Sequence, residues 1–148
     1  MIKILLALTI TICIPAIASQ SSMLSIVSNN EVDNCIQKFG DNSDECLENL
    51  SDNSDTELQK RYEDKLKKLK ETDYTSWWMG NKEQYDSLIE NFKASQRDWQ
   101  KYKIEYCKSA TVAEQNTHAS AAVMASCLIN MNKRRMQEIA LMSEPTTK

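Results

Sequence analysis

Glycine, proline and histidine are scarce in this sequence. Its 148 residues include two glycines, two prolines and a single histidine, His118, and they contain no glycine-rich phosphate loop. A β-sandwich or barrel of this length needs many turns, which draw on glycine and proline, so the scarcity predicts an all-α fold. No Ser-His-Asp context is present to pair a nucleophile with a base. We therefore expect a protein that is not an enzyme and that needs no cofactor.

Metal ligands are also sparse. The sequence has no Cys-x-x-Cys pair, and with one histidine this argues against a zinc site. Met124, Met131, Met136 and Met142 recur at helical spacing. That spacing is typical of a core-facing stripe rather than of copper ligands. The sequence therefore predicts no bound metal.

The first eighteen residues have the features of a secretory signal peptide. Lys3 gives a positive start, residues 4–14 are apolar apart from two threonines, and Ala-Ile-Ala at 16–18 is a small-x-small cleavage site. The apolar run is shorter than the roughly 20 residues that span a membrane. A lipoprotein with Cys13 acylated is disfavoured, because the bulky Ile12 precedes this cysteine. We expect cleavage after residue 18, export to the periplasm or the extracellular space, and no membrane insertion afterwards.

The mature chain, residues 19–148, is predicted to form a single domain, because it is long enough for one modest core. Removal of the signal takes away one basic residue and no acidic one, so 17 basic residues face 21 acidic ones and the net charge is −4. This mildly acidic balance argues against a nucleic-acid partner.

Four cysteines remain in the mature chain. An even number in a small exported protein indicates disulfides. Three pairings are open in principle, and we favour Cys35–Cys46 and Cys107–Cys127 because each closes a short local loop. Each bond should stabilise the fold by roughly 3 kcal/mol.

The amino-terminal half is predicted to contain short helices followed by a longer one. Residues 31–39 form a candidate helix that ends at the following glycine, and a second short turn begins at Ser43. Ser54 and Glu57 have capping-box spacing, which predicts that the first long helix begins there and runs to about Thr72.

Two further long helices follow. Asn81 and Gln84 form a second capping arrangement, and from there an aromatic stripe at three- and four-residue steps leads to Cys107. Because this helix carries much of the large apolar area, we expect the rest of the chain to pack against it. The last helix is predicted over about 118–142. The architecture is therefore a small, disulfide-stapled helical bundle of three longer helices with one or two short amino-terminal helices.

The central helix carries a specific pattern, which two flanking segments extend. The pattern consists of Phe92, Lys93, Gln96, Arg97, Trp99, Tyr102, Lys103 and Cys107, with Asp55, Leu58, Tyr62 and Leu69 after Cys46, and Leu128, Met131, Arg135, Glu138 and Ile139 after Cys127. It resembles the L-R-x-A-Q-R-x-W-x-x-F/Y-R-D-x-x-C motif and flanking segments of the lysozyme-inhibitor LprI family of exported bacterial proteins. The resemblance covers about residues 35–140.

Four positions depart from the family motif. Ser95 stands for alanine, Lys103 for arginine, Ile104 for aspartate and Asn132 for threonine. Lysine lacks the planar fork with which arginine pairs with a carboxylate. We therefore expect that an ion pair made at position 103 in the family is weakened or lost here.

The resemblance implies an exported inhibitor that binds and blocks a lysozyme-type peptidoglycan hydrolase, a basic protein partner. Two alternatives remain open at this stage. One is a periplasmic immunity protein against a delivered toxin, and the other is a non-inhibitory envelope adaptor or structural protein.

Two segments are candidates for contact with such a partner. Residues 31–57 contain nine acids and one base, so this surface could steer a basic partner, although a solvated helix face explains it equally well. The second segment is the turn that contains the adjacent residues Trp77 and Trp78. Two adjacent tryptophans in a turn cannot easily both face inward, so this turn is either an aromatic anchor for a partner or a cap on the end of the bundle. Trp99, Tyr102 and Tyr106 are expected in the core, and the basic run 133–135 is expected to complement a helix terminus. The candidate contacts are Trp77, Trp78, Met79, Asp41, Asp44, Glu45 and Glu48.

Overall fold

The protein folds as a bundle of helices. The structure is a computed structural model that describes residues 25–143, and within this range there is no strand. The predicted all-α bundle of three longer helices and a short amino-terminal one is confirmed. The predicted signal peptide lies outside the described residues. Among residues 25–143, none of the helices combines the length and the apolar character that spanning a membrane requires. The helices are α1 (Asn30–Phe39), α2 (Asp44–Glu71), α3 (Lys82–Ala110) and α4 (Ser120–Leu141).

Hydrogen bonds between helices define their directions. Asn132 of α4 donates to Ser54 and Asp55 of α2, and Lys65 of α2 donates to the carbonyl oxygen of Met142 just beyond α4. The sequence separation is 77 or 78 residues in all three bonds, so α2 and α4 run parallel and side by side. The third long helix, α3, connects the end of α2 to the start of α4 and packs antiparallel to both.

Local signals define several helix ends. The Asn29 side chain accepts hydrogen bonds from the N–H groups of Glu31 and Val32 and so caps α1, while Gly40 ends this helix at a φ of 53°. The predicted Asn81–Gln84 capping box is present at the start of α3, where each side chain accepts a hydrogen bond from the other residue's backbone N–H.

The long helix α2 begins ten residues before Ser54, so the predicted capping box at Ser54 and Glu57 is wrong. No glycine or proline interrupts residues 44–71. Ser54 is buried, and its hydroxyl accepts a hydrogen bond of 3.0 Å from the Asn132 side chain instead of capping a helix. The helix continues through this segment because Leu47, Ser54 and Leu58 are buried along it at helical spacing.

The helix at the centre of the bundle is α4 rather than α3, contrary to the prediction. Its most extensive packing is with α2, and it also contacts α1 and α3. Residues 119–132 carry no charged side chain. A helix that is weakly polar on all sides can be surrounded by other elements. Accordingly three consecutive residues, 125–127, are buried.

Two disulfides join the helices in the predicted pairing. Cys35 of α1 is bonded to Cys46 of α2, and Cys107 of α3 is bonded to Cys127 of α4, with Cα–Cα distances of 5.8 Å and 5.7 Å. Both cysteines of the second bond have no exposed surface. The first bond therefore ties the short helix to the bundle, and the second lies inside the main core.

Removal of the Cys107–Cys127 bond is expected to lower the free energy of unfolding by about 3 kcal/mol, because the constraint on the unfolded chain is lost. The test is urea denaturation of Cys107→Ala/Cys127→Ala against Cys35→Ala/Cys46→Ala, whose sequence separation is 11 rather than 20 residues. The free energy of unfolding should fall further in Cys107→Ala/Cys127→Ala than in Cys35→Ala/Cys46→Ala, because the longer loop is the stronger constraint on the unfolded chain. Peptide mapping of the non-reduced protein checks the pairing, and four free thiols or crossed links would contradict it.

Candidate functional site

A group of four polar side chains, three of them buried, lies where α2, α3 and α4 meet. Lys103, which is 4% exposed, donates from Nζ to Asp55 at 2.7 Å and to the Asn132 side-chain oxygen at 3.1 Å. The Asn132 amide nitrogen donates in turn to Asp55 at 2.8 Å and to Ser54 at 3.0 Å. We call these four residues the Lys103 cluster. The Asp55 side chain stays 58% exposed, so this carboxylate keeps much of its hydration and the ion pair costs less to form.

Arg135 makes a second set of bonds between α4 and α3. Its Nε donates to the Gln96 side-chain oxygen at 3.0 Å, and its Nη2 donates to the Ser95 hydroxyl at 2.9 Å. The ring of Trp99 has Lys103 Nζ at 5.4 Å and Arg135 Cζ at 5.9 Å from its centroid. Both cations are within the range of cation–π attraction to this indole. The two polar sets therefore share one buried tryptophan.

Three of the four departures from the family motif lie in these two sets. Lys103 replaces arginine, and it forms an ion pair with Asp55. Asn132, in place of threonine, supplies a carbonyl oxygen to Lys103, and Ser95, in place of alanine, supplies a hydroxyl to Arg135. The fourth departure, Ile104, is 46% exposed and lies outside both sets.

The motif residues of α3 divide between the core and the surface. The core stripe follows four-residue steps through Trp99, Lys103 and Cys107, and Tyr102 falls beside it. Tyr102 is therefore 53% exposed and packs on Tyr106, so its predicted place in the core is wrong. The motif thus mainly holds helices together. Phe92, Gln96, Trp99 and Lys103 are buried, Arg135 is half-buried, and Arg97 and Tyr102 are exposed.

The turn between α2 and α3, residues 72–81, contains two adjacent tryptophans that differ in exposure, and we call it the aromatic turn. Trp77 is half-buried beside Tyr85, whereas Trp78 is 80% exposed and Met79 is 76% exposed. Met79 has a φ of 55°, and a Cβ at Gly80 would overlap the carbonyl oxygen of Tyr74. The backbone is therefore held in a specific shape that presents Trp78 and Met79 outward.

The nine acidic residues of residues 31–57, which run from α1 through the connecting turn to the first half of α2, are all exposed. Three of them have cationic partners: Glu31 pairs with Lys133 and Glu57 with Arg61, in addition to Asp55 with Lys103. For the other six, no cation among residues 25–143 is within ion-pair distance. We call these six the acidic end of the bundle. They are Asp33, Asp41, Asp44, Glu45, Glu48 and Asp52.

The structure does not bring the two predicted contact regions together. Asp44 lies at the start of α2, and the turn that carries Trp78 follows its other end. A helix of 28 residues is about 40 Å long. The acidic end and the aromatic turn are therefore at opposite ends of the bundle and cannot both enter one small cleft.

The basic run 133–135 does not form a continuous patch. Lys133 pairs with Glu31 at 3.2 Å, and Arg135 is engaged with Ser95, Gln96 and Glu138. Arg134 alone is exposed without a cross-helix partner among the described residues. Its neighbours thus tie α4 to α1 and α3 rather than face an anionic polymer.

Sequence reasoning missed a shallow groove at the acidic end. The groove lies between the first turns of α2 and α4, and its volume is about 250 Å³. The signal for it was available in the i, i+3, i+4 and i+7 spacing of apolar residues at the start of α4. We call it the α2–α4 groove. Its lining consists of Asp44, Leu47, Glu48, Ser51, Ala121, Met124, Ala125 and Leu128.

Replacing Lys103 with methionine is expected to lower the free energy of unfolding by about 1–3 kcal/mol, because the buried Asn132 oxygen loses its donor. Lys103→Arg restores the motif residue and keeps a cation near Asp55. It should therefore lower the free energy of unfolding by less than the methionine variant does. Urea denaturation of the two variants measures the difference. A methionine variant as stable as the unmodified protein would show that the Lys103 cluster contributes nothing.

The pKa of Asp73, which begins the aromatic turn, provides a pH-dependent prediction. Its carboxylate accepts hydrogen bonds from the hydroxyl and the N–H of Thr75, and these hold the pKa of Asp73 below its ordinary value of 3.8. Because the folded pKa is the lower one, this stabilisation is complete above pH 3.8 and is lost as the pH falls through the folded pKa.

Acidification from about pH 5 to about pH 2 should therefore loosen the aromatic turn, which tryptophan fluorescence reports. The Asp73→Asn variant is the matched control, because its side chain does not titrate. Its fluorescence should lack the change at acid pH that protonation of Asp73 causes in the unmodified protein. Identical curves for the two proteins would contradict the role assigned to Asp73.

The comparisons with known proteins agree with the motif. Residues 35–139 match the protein family described as lysozyme inhibitor LprI. No curated protein and no solved structure shows significant similarity to the chain. Since the family match extends from the first disulfide cysteine to the last buried residue of α4 and covers most of the sequence, the chain belongs to the LprI lysozyme-inhibitor family.

Proposed function

We propose that this protein is exported and that it binds and blocks a lysozyme-type peptidoglycan hydrolase. The observation that carries the proposal is the family match over residues 35–139. The apolar leader at residues 4–14 and the two disulfides support export, because disulfides persist in oxidising compartments outside the cytosol.

The acidic end is the contact surface that we propose for the hydrolase. It presents six exposed carboxylates without cationic partners in the described part of the chain. Unpaired charge of one sign attracts an oppositely charged protein and speeds its association. A basic hydrolase would therefore approach this end first, while the aromatic turn at the other end remains clear of the contact.

Blocking a hydrolase requires only that its substrate cleft be covered. A rigid surface suits this task, because little conformational freedom is lost on binding. The Cys35–Cys46 bond fixes α1 against α2 at the acidic end, so the carboxylates of both helices are held in a defined arrangement. No group of the inhibitor needs to react.

The test is to add purified residues 19–148 to several lysozymes and follow the lysis of cell walls. We expect protection at about micromolar concentrations and an association rate that falls at least about tenfold between low and high salt. Trp78→Ala should inhibit as well as the unmodified protein. Absence of protection against every lysozyme type would refute the proposal, and loss of inhibition in Trp78→Ala would move the contact to the aromatic turn.

A further inference from the structure

The α2–α4 groove at the acidic end combines an apolar lining with two carboxylates. Leu47, Met124 and Leu128 contribute apolar surface, while Asp44 and Glu48 are the exposed, charged members of its lining. Leu47 is itself buried in the smaller core cluster, which also contains Cys35. One wall of the groove is therefore part of the folded core rather than a mobile surface loop.

The two carboxylates are arranged so that a cation would stabilise them. Asp44 and Glu48 lie four residues apart on one helix face, and like charges at this spacing repel. No cation among the described residues 25–143 is within ion-pair distance of either. Cys46 lies between them and is bonded to Cys35, which fixes this first part of α2 against α1. The backbone that carries the two carboxylates is therefore held in place relative to α1.

An apolar lining next to two carboxylates favours one kind of side chain as the occupant of the groove. An apolar side chain would cover the lining but would remove water from two charged groups without replacing their hydration, which is costly. Lysine and arginine have apolar stems that can lie on apolar surface while the charged head remains at the edge. A basic partner displays such side chains. The apolar lining of the groove therefore matches the stem of a lysine or arginine side chain, and its two carboxylates match the charged head.

We infer that the α2–α4 groove is the specificity pocket of this inhibitor and that it receives one lysine or arginine side chain of the basic hydrolase, with its cationic head between Asp44 and Glu48. This assignment rests on the proposed function. Within the acidic end, the assignment places the main contact with the hydrolase at one groove. The remaining carboxylates of the acidic end then act at longer range, on the rate of approach.

Two double variants of α2 separate the local contact from long-range attraction. Asp44→Asn/Glu48→Gln neutralises the groove, and Glu45→Gln/Asp52→Asn makes the same change in net charge on the same helix outside the groove lining. Calorimetric titration of a lysozyme that the unmodified protein inhibits should give a dissociation constant at least about tenfold higher for the groove variant and less than about threefold higher for the control. Equal weakening by the two variants, or none by the groove variant, overturns the inference and leaves the proposed function intact.

A groove-filling variant tests the same contact without a change of charge. Ala121 is exposed in the groove lining, so Ala121→Trp should obstruct the groove and weaken binding by a similar factor. Circular dichroism and thermal unfolding confirm that each variant remains folded. Unchanged binding by folded Ala121→Trp would also overturn the inference.

A second measurement covers the case in which no lysozyme binds and the proposed function fails. The probe is a glycine-flanked peptide with one arginine, added to about 10 mM while the methyl signals of Ala121, Met124 and Leu128 are followed by NMR. We expect shifts at these methyl groups that disappear in the groove variant and are absent for the same peptide with glutamine. An arginine peptide that leaves these signals unmoved refutes the pocket whether or not the protein inhibits a hydrolase.

Discussion

The bond between Cys107 and Cys127 fixes α3 against α4, and the other contacts between these helices depend on the register that it imposes. One turn from the bond along α3, Lys103 meets Asn132, and two turns further Gln96 meets Arg135. A slip of α3 by one residue would carry these polar groups away from their partners while still burying apolar surface. Covalent and polar contacts thus select one arrangement among several that hydrophobic packing alone would permit.

The buried polar residues also explain why the bundle differs from a simple amphipathic pattern. Ser54 is a good capping residue, but its hydroxyl is used by Asn132 in the middle of α2. Asn132 connects three helices, because it also bonds Asp55 and Lys103. Two of the departures from the family motif are coupled in this way, because Lys103 and Asn132 share a hydrogen bond. The Asn132 side-chain oxygen accepts a hydrogen bond from the buried Lys103 Nζ, which a lysine at this position requires.

The two candidate contact regions lie at opposite ends of the bundle. The acidic end is stiffened by the Cys35–Cys46 bond and contains the α2–α4 groove. The opposite end has a shaped turn that exposes Trp78 and Met79. A long rigid α2 lies between them, so contact at one end leaves the other open.

The sequence by itself determined the helical class, the capping of α3 by Asn81 and Gln84, the end of α1 at Gly40 and the pairing of the cysteines. These features follow from local spacing and from the scarcity of turn residues, so neighbouring residues suffice to predict them. Only the tertiary structure decided that α2 continues through Ser54, that α4 is central, that Tyr102 faces solvent and that the acidic and aromatic regions lie apart. Each of these depends on which distant side chain meets a given helix face, and helical periodicity specifies the face without specifying its partner.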